Sequence, residues 1–181
     1  NYGLVERDQL ADEAFELNPL SLYAKSKVRI EKRLLDRRDV EPDYTPTVLR
    51  FATAFGLSPR MRFDLTVNEF TRDVFLQKDL LVYDADTWRP YCHVSDLSRA
   101  IECVLQSDRQ LVRNEVFNIG SDANNFTKRM IAELIAHEVP DLVVEYVENG
   151  SDARNYRVSF EKVYRQLGFE VEVMVADGFE G

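Results

Sequence analysis

The sequence predicts an α/β fold, and three observations carry that prediction. Short runs of strand-forming residues alternate with stretches whose apolar residues recur at helical spacing. The seven Gly and six Pro fall singly between those runs, so they punctuate one domain rather than marking a linker. Hydrophobic content of 45% with 30% charged residues over 181 positions is that of a globular chain long enough to bury a real core.

The elements follow in order. After Pro19 a helix is expected from Ser21 to about Arg38, with Ser21 as N-cap and Leu22, Val28, Ile30, Leu34 and Leu35 as its apolar stripe. Asp39 to Pro46 carries two prolines and breaks the pattern. Thr47 to Thr53 (TVLRFAT) reads as a buried strand running into a turn at Gly56 and Pro59. Leu65 to Lys78 reads as a helix with Val67, Phe70, Val74 and Phe75 on one side. Leu80 to Tyr83 and Tyr91 to Val94 read as short strands around a turn at Asp84 to Thr87. Ser95 is expected to cap a helix to about Gln106, turning Leu97, Ile101, Val104 and Leu105 inward. Glu115 to Ile119 is a strand ending at Gly120. Thr127 caps a helix through His137, Leu142 to Val147 is a strand, and Ser159 to Leu167 is a helix ending at Gly168.

Charge and composition exclude several classes. With 23 Lys plus Arg against 32 Asp plus Glu, the net charge is −9 and the pI is near 4.8. A nucleic acid as main partner needs a net basic surface, which is lacking, although a local basic pocket for a small anion is not excluded. No run of 18 apolar residues marks a membrane span. Asn1 to Asp12 has neither a basic nor an apolar leader region, so no signal peptide is expected. Cys92 and Cys103 are too few for a disulfide framework and fit a reducing cytoplasm. No Gly-x-Gly-x-x-Gly or Gly-x-x-x-x-Gly-Lys loop occurs, so these residues hold no phosphate-cradling turn of the usual kind.

Tyr23 and Lys27 sit four apart on the first expected helix, hence on one face and about 6 Å apart along its axis. An ammonium beside a phenol favours phenolate and can pull a tyrosine pKa down from ~10 toward the range of a general acid/base. The bare spacing is equally that of an exposed tyrosine beside a solvated lysine.

The surrounding residues are more specific. Asn18-Pro19-Leu20-Ser21-Leu22-Tyr23-Ala24-Lys25-Ser26-Lys27 resembles the active-site helix of extended short-chain dehydrogenases/reductases, whose pattern is Pro-x-Ser-x-Tyr-x-x-Ser-Lys. Tyr2-Gly3, 21 residues before Tyr23, resembles the Tyr-Gly after that family's catalytic Ser/Thr strand. Leu49 to Gly56 (LRFATAFG) is similar to the strand and turn that pass beside the nicotinamide. Arg89 to Leu97 (RPYCHVSDL) and Phe117-Asn118-Ile119-Gly120 are similar to two further motifs, and all fall in the family's order.

The resemblance, to NAD-dependent nucleotide-sugar epimerases and dehydratases in particular, implies roles. Tyr23 would be the catalytic acid/base. Lys27 would lower its pKa and hold the nicotinamide ribose. Phe51 and Phe55 would border the cofactor. Asn68 would meet the substrate diphosphate at a helix start, and Arg89 and Arg154 would clamp it; a surface salt bridge is the plain alternative for each arginine. Thr53 stands where many epimerases carry Asn, and Lys25 fills a usually small position. Cys92, His93, Cys103 and His137 match no zinc spacing, so no metal is expected; His93 reads as a structural residue beside Asp96, and the cysteines as core.

The family's Gly-rich cofactor half and catalytic Ser/Thr would lie before Asn1. The expected fold is therefore a partial Rossmann-type, doubly wound parallel sheet with a small α/β substrate-binding subdomain, stopping where the family's last helix begins. Residues 1–55 and 90–120 would form the end of the sheet, and residues 56–89 and 121–181 the subdomain. The implied function of the complete protein is NAD(P)-dependent epimerisation or dehydration of a nucleotide-activated sugar, with NAD or NADP as cofactor and a homodimer formed through the Tyr23/Lys27 helix. The alternatives are an NADPH-dependent reductase of a keto-sugar or other carbonyl compound, and a truncated, non-catalytic domain that binds a nucleotide sugar or a partner. Neither nucleic acid nor membrane is an expected partner.

Overall fold

The computed structural model describes residues 2, 3, 5, 9–36, 43–148, 150 and 155–179. Its elements run β1 (Leu10–Ala11), α1 (Leu22–Asp36), β2 (Thr47–Phe51), β3 (Thr53–Phe55), α2 (Thr66–Phe75), β4 (Leu80–Tyr83) and β5 (Trp88–His93). Then come α3 (Val94–Gln106), α4 (Arg109–Val112), β6 (Glu115–Ile119), β7 (Asn125–Thr127), α5 (Lys128–Glu138), β8 (Val144–Val147), β9 (Arg157–Val158) and α6 (Glu161–Leu167). Four strand pairs are parallel: β2 with β6, β3 with β5, β4 with β8, and β1 with β9. Parallel partners need a long crossover, and helices fill the gaps between these strands. Among the described strands only β7 runs antiparallel, against β5.

β2 and β3 form one line of chain that changes partner. Thr47 to Phe51 pairs with Glu115 to Ile119, and the Ala52 N–H donates to the Ile119 carbonyl at 3.1 Å. From Thr53 onward the partner is β5. Phe51 therefore ends one pairing, and Phe55 ends the next.

Two apolar clusters result. Ala52, Cys92, Phe117, Ile119, Val158 and Val163 belong to the first, and Phe55, Val67, Phe70, Val82, Tyr91 and Ile131 to the second. A fully buried Val, Leu, Ile or Phe contributes about 1.5–3 kcal/mol, so either cluster outweighs any surface ion pair. No described helix is long and apolar enough to cross a membrane.

The local signals hold where they are local. Ser21 accepts from the Ala24 N–H at 3.1 Å, Thr127 accepts from the Met130 N–H at 3.1 Å, and Gly168 closes α6 at φ 63°. Other expectations change. α3 is capped by His93, which accepts from the Ser95 N–H at 3.3 Å, so Ser95 lies inside the helix. β5 begins at Trp88 rather than Tyr91, because Trp88, Arg89 and Pro90 pair with β7. Phe75 is 84% exposed and Leu105 79% exposed, and Ile101 also faces solvent. On α1 the inward residues are Val28 and Glu31, while Leu22, Ile30 and Leu34 are exposed. Helical periodicity identifies an apolar stripe but not the surface that covers it.

Candidate functional site

The site is built on the first turns of α1. Ser21 caps the helix, and the Ser26 hydroxyl folds back to donate to the Tyr23 carbonyl at 2.7 Å. One turn separates Tyr23 from Lys27, and the Lys27 Nζ lies 5.3 Å from the Tyr23 ring centroid. The ammonium thus sits over the π face, an attractive arrangement in itself. Tyr23 is 72% exposed.

Below this pair lies a groove of about 440 Å³, bordered by Tyr2, Tyr23, Lys27, Phe51, Pro90 and Tyr156. Gly3 lets the chain enter here: its φ is +76°, and a Cβ would stand 2.3 Å from the Asn18 carbonyl oxygen. The first strand-end residue, Phe51, is half exposed on the groove. The second, Phe55, is elsewhere. It is 2% exposed, and its ring meets His93 edge-on with centroids 5.3 Å apart.

Two of the three residues expected to bind an anion, Asn68 and Arg89, are buried. Asn68, in the first turn of α2, accepts from the Gly56 N–H at 3.0 Å and donates to the Arg62 carbonyl at 3.1 Å, so its side chain staples the turn after β3. Gly56 has φ +99°, and a Cβ there would strike the His93 ring at 2.1 Å. Arg89 is also buried, donates to the Trp88 carbonyl at 2.6 Å, and places its guanidinium 5.2 Å from the Tyr156 ring centroid. Arg89 is thus an interior rather than a surface side chain. Arg154 lies outside the described residues.

Tyr23, Lys27 and Phe51 are therefore brought together on one groove, while Phe55 and Asn68 are held in the interior. Among the described residues no group of three His, Cys, Asp or Glu side chains could hold a metal ion. His93 caps α3 with its Nδ1, and the adjacent Asp96 is fully buried. Burial pushes the Cys92 thiol up to about 12, with Asp96 adding to the effect, which leaves it a core residue rather than a nucleophile.

Sequence reasoning missed a buried polar network beside the groove. The Arg50 guanidinium forks onto the Glu31 carboxylate, with Nε to Oε2 at 3.0 Å, and Nη1 donates to the Tyr2 hydroxyl at 2.9 Å and to the Glu13 carbonyl at 3.2 Å. The Tyr2 hydroxyl donates in turn to Asn118 Oδ1 at 2.6 Å, and Asn118 Nδ2 donates to the Ser159 carbonyl at 3.1 Å. Burial raises the Tyr2 pKa, and Arg50 offsets that only in part, so the phenol keeps the proton it donates. Arg50 also loses by burial, but its bonds to Glu31 and Tyr2 outweigh the loss and hold it charged. A signal existed: Arg50 is the one charged residue inside the run TVLRFAT, and a charge in a buried strand requires a partner.

With this geometry in view, comparison with known proteins is informative. A family model described as the NAD dependent epimerase/dehydratase family matches residues 1–120. A dTDP-glucose 4,6-dehydratase of Streptomyces griseus is 38% identical over 93 residues, 50% of this chain and 27% of that protein. The NAD complex of a dTDP-glucose 4,6-dehydratase from Bacillus anthracis superposes with a TM-score of 0.85 at 25% identity, over 99% of this chain and 56% of that one. A Bacillus cereus UDP-glucuronic acid 4-epimerase, solved with UDP-glucuronic acid and NAD, shares the fold with a TM-score of 0.80 at 19% identity, over 99% of this chain and 56% of that one. The chain thus spans about half the length of the solved relatives it matches. The match to the family model over residues 1–120, more than half of the 181-residue chain, shows that the chain belongs to the NAD-dependent epimerase/dehydratase family.

Proposed function

We propose that the whole protein converts a nucleotide-activated sugar by transient oxidation, as an epimerase or dehydratase, with Tyr23 as acid/base. The observation that carries this reading is the meeting of Tyr23, Lys27 and Phe51 on one groove. When bound, NAD(P) supplies reversible hydride acceptance from a sugar carbon. The groove has a half-exposed aromatic wall in Phe51 and a cation in Lys27, which fit a nicotinamide ring and its ribose hydroxyls.

Tyr23 takes the proton of the sugar hydroxyl as its carbon is oxidised, and returns a proton when the carbon is reduced again. Lys27, above the phenol ring, stabilises the negative charge that Tyr23 carries as base, and donates to the ribose. Phe51 excludes water from the reacting carbon. Asn68 meets the diphosphate through backbone N–H groups at the start of α2, where Leu65 provides no side-chain cap. Arg89, next to the groove residue Pro90, completes the anion site, and the family resemblance adds Arg154. We assign residues 1–55 and 90–120 to the cofactor-binding sheet and residues 56–89 and 121–181 to the substrate side.

The test is turnover by the full-length protein with NAD and either dTDP-glucose or UDP-glucuronic acid. Product should form without net accumulation of NADH, since the hydride is returned; steady consumption of NADPH with a keto-sugar would instead establish a reductase. Tyr23→Phe should lower kcat by about 10²–10⁴-fold, and Lys27→Met should lower both kcat and NAD affinity. Full activity in Tyr23→Phe would sink the acid/base assignment.

A further inference from the structure

α1 carries the proposed proton-transfer pair, yet it has little apolar packing to hold it. Of its 15 residues only Val28 and Glu31 are buried. Leu22, Ile30 and Leu34, which would ordinarily anchor an amphipathic helix, are exposed. Within the chain α1 is therefore held by Val28 and Glu31, and of the two only Glu31 makes a directional contact. Tyr23, Lys27 and Glu31 occur at successive steps of four, so they share a face, and a tether at Glu31 orients the other two.

That tether is Arg50. Its planar fork holds the Glu31 carboxylate through two parallel N–H donors, a contact that fixes orientation as well as distance. The same guanidinium reaches Tyr2 and, through it, Asn118 on β6. The next residue on β2 is Phe51, the aromatic wall of the groove. One side chain thus joins the helix bearing Tyr23 and Lys27 to the strands that form the groove wall. Neither partner of the ion pair is more than 8% exposed at its side chain, so water does not substitute for it.

We propose that Arg50 is a positioning residue: through Glu31 it fixes α1 so that Tyr23 and Lys27 face the groove beside Phe51. This rests on the reading of Tyr23 as the acid/base. In this role Arg50 and Glu31 act through α1 rather than on the reacting atoms; misplacement of a proton-transfer group by about 1 Å can cost on the order of 100-fold in rate.

The experiment uses the full-length protein, with NAD and dTDP-glucose as probes. Arg50→Lys keeps the charge but loses the fork. It should speed hydrogen exchange of α1 amides about tenfold or more while leaving α5 unchanged. It should also lower kcat about 10–100-fold with KM held within about threefold, the pattern of an interaction needed only for the chemical step. Glu31→Gln keeps one acceptor for the fork and should lose less. Should Arg50→Lys fail to fold, the double variant Glu31→Leu/Arg50→Met serves, since an apolar pair often replaces a buried ion pair without loss of stability. A drop in its kcat at unchanged Tm then reports position rather than stability.

Exchange that rises equally in α1 and α5, or wild-type kcat in a variant whose α1 has loosened, overturns the proposal. Tyr23→Phe separates the two ideas. An inactive Tyr23→Phe with a fully active Arg50→Lys removes the positioning role alone. An active Tyr23→Phe removes the acid/base reading and the positioning role with it, while the exchange data still show whether Arg50 holds the helix.

Discussion

Glu13 shows how a single half-buried carboxyl can work against the fold that uses it. Its Oε1 accepts the Asn118 N–H at 2.7 Å, which favours the charged form, but desolvation by burial is the larger effect and the net pKa is raised. An acid whose folded pKa lies above its unfolded one binds its proton more tightly in the native state. Its contribution to stability is therefore greatest at low pH, and it declines as pH rises from the ordinary glutamate range through the raised folded value. Glu13→Gln removes the charge and keeps an oxygen to accept from Asn118. At about pH 4, where Glu13 is largely protonated when folded, the variant should melt with the wild type. At neutral pH it should melt about 1–3 °C higher, on the scale of a fraction of a kcal/mol for a chain of this size. Thermal melts at the two pH values decide it, and a lower Tm for the variant at neutral pH would refute the sign.

At the scale of elements, legibility followed the range of the interaction. Ser21, Thr127 and Gly168 could be read because a cap or a helix stop involves residues within one turn. The α3 cap could not, since His93 at the end of β5 takes the role expected of Ser95. The inner face of α3 was misread for a different reason. Ile101 and Leu105 look like core, yet the buried positions are Ala100 and Asp96, and the Asp96 carboxylate accepts the Glu172 and Val173 N–H groups, both at 3.1 Å, and pairs with Arg99 at 2.6 Å. The Glu172 and Val173 donors lie 76 and 77 residues away along the chain, beyond any local pattern. The site divides in the same way: Tyr23 and Lys27 were legible from their spacing and flanking residues, whereas the Arg50–Glu31 tether joins two elements whose pairing no periodicity reveals. Asp96→Ala tests how much α3 depends on its tether. It leaves two backbone donors without their acceptor and Arg99 without its buried partner, so unfolding in urea should show a loss of about 2–4 kcal/mol. A loss under about 0.5 kcal/mol, the range of an ordinary surface change, would mean that segment 172–173 finds other acceptors.

At the scale of the molecule, two helices expose apolar side chains. Leu22 is 84% exposed at the start of α1, Ile30 and Leu34 are also exposed although they border the groove, and α3 presents Ile101 and Leu105. Contiguous apolar surface of this kind marks interaction surfaces on soluble proteins. For α1 we propose a second copy of the chain, since one helix face meeting its own copy across a two-fold axis buries both at once. Leu22→Glu with Ile30→Gln is the probe, read by mass alone because Ile30 also borders the groove. An acidic residue in the first turn suits the helix dipole, and glutamine has at least the helix propensity of isoleucine, so α1 itself is not weakened. The full-length wild type should sediment at twice its chain mass at tens of micromolar, and the double variant at the single mass. Leu105→Lys, equally favourable at the end of α3, should leave the dimer intact. A double variant that remains dimeric, or a Leu105→Lys protein that dissociates, would place the two-fold contact on α3 instead. The same faces predict that the 181-residue chain expressed alone self-associates, because α1 and α3 both present apolar side chains to water, and a monodisperse 21.0 kDa species at that concentration would show that neither face needs covering.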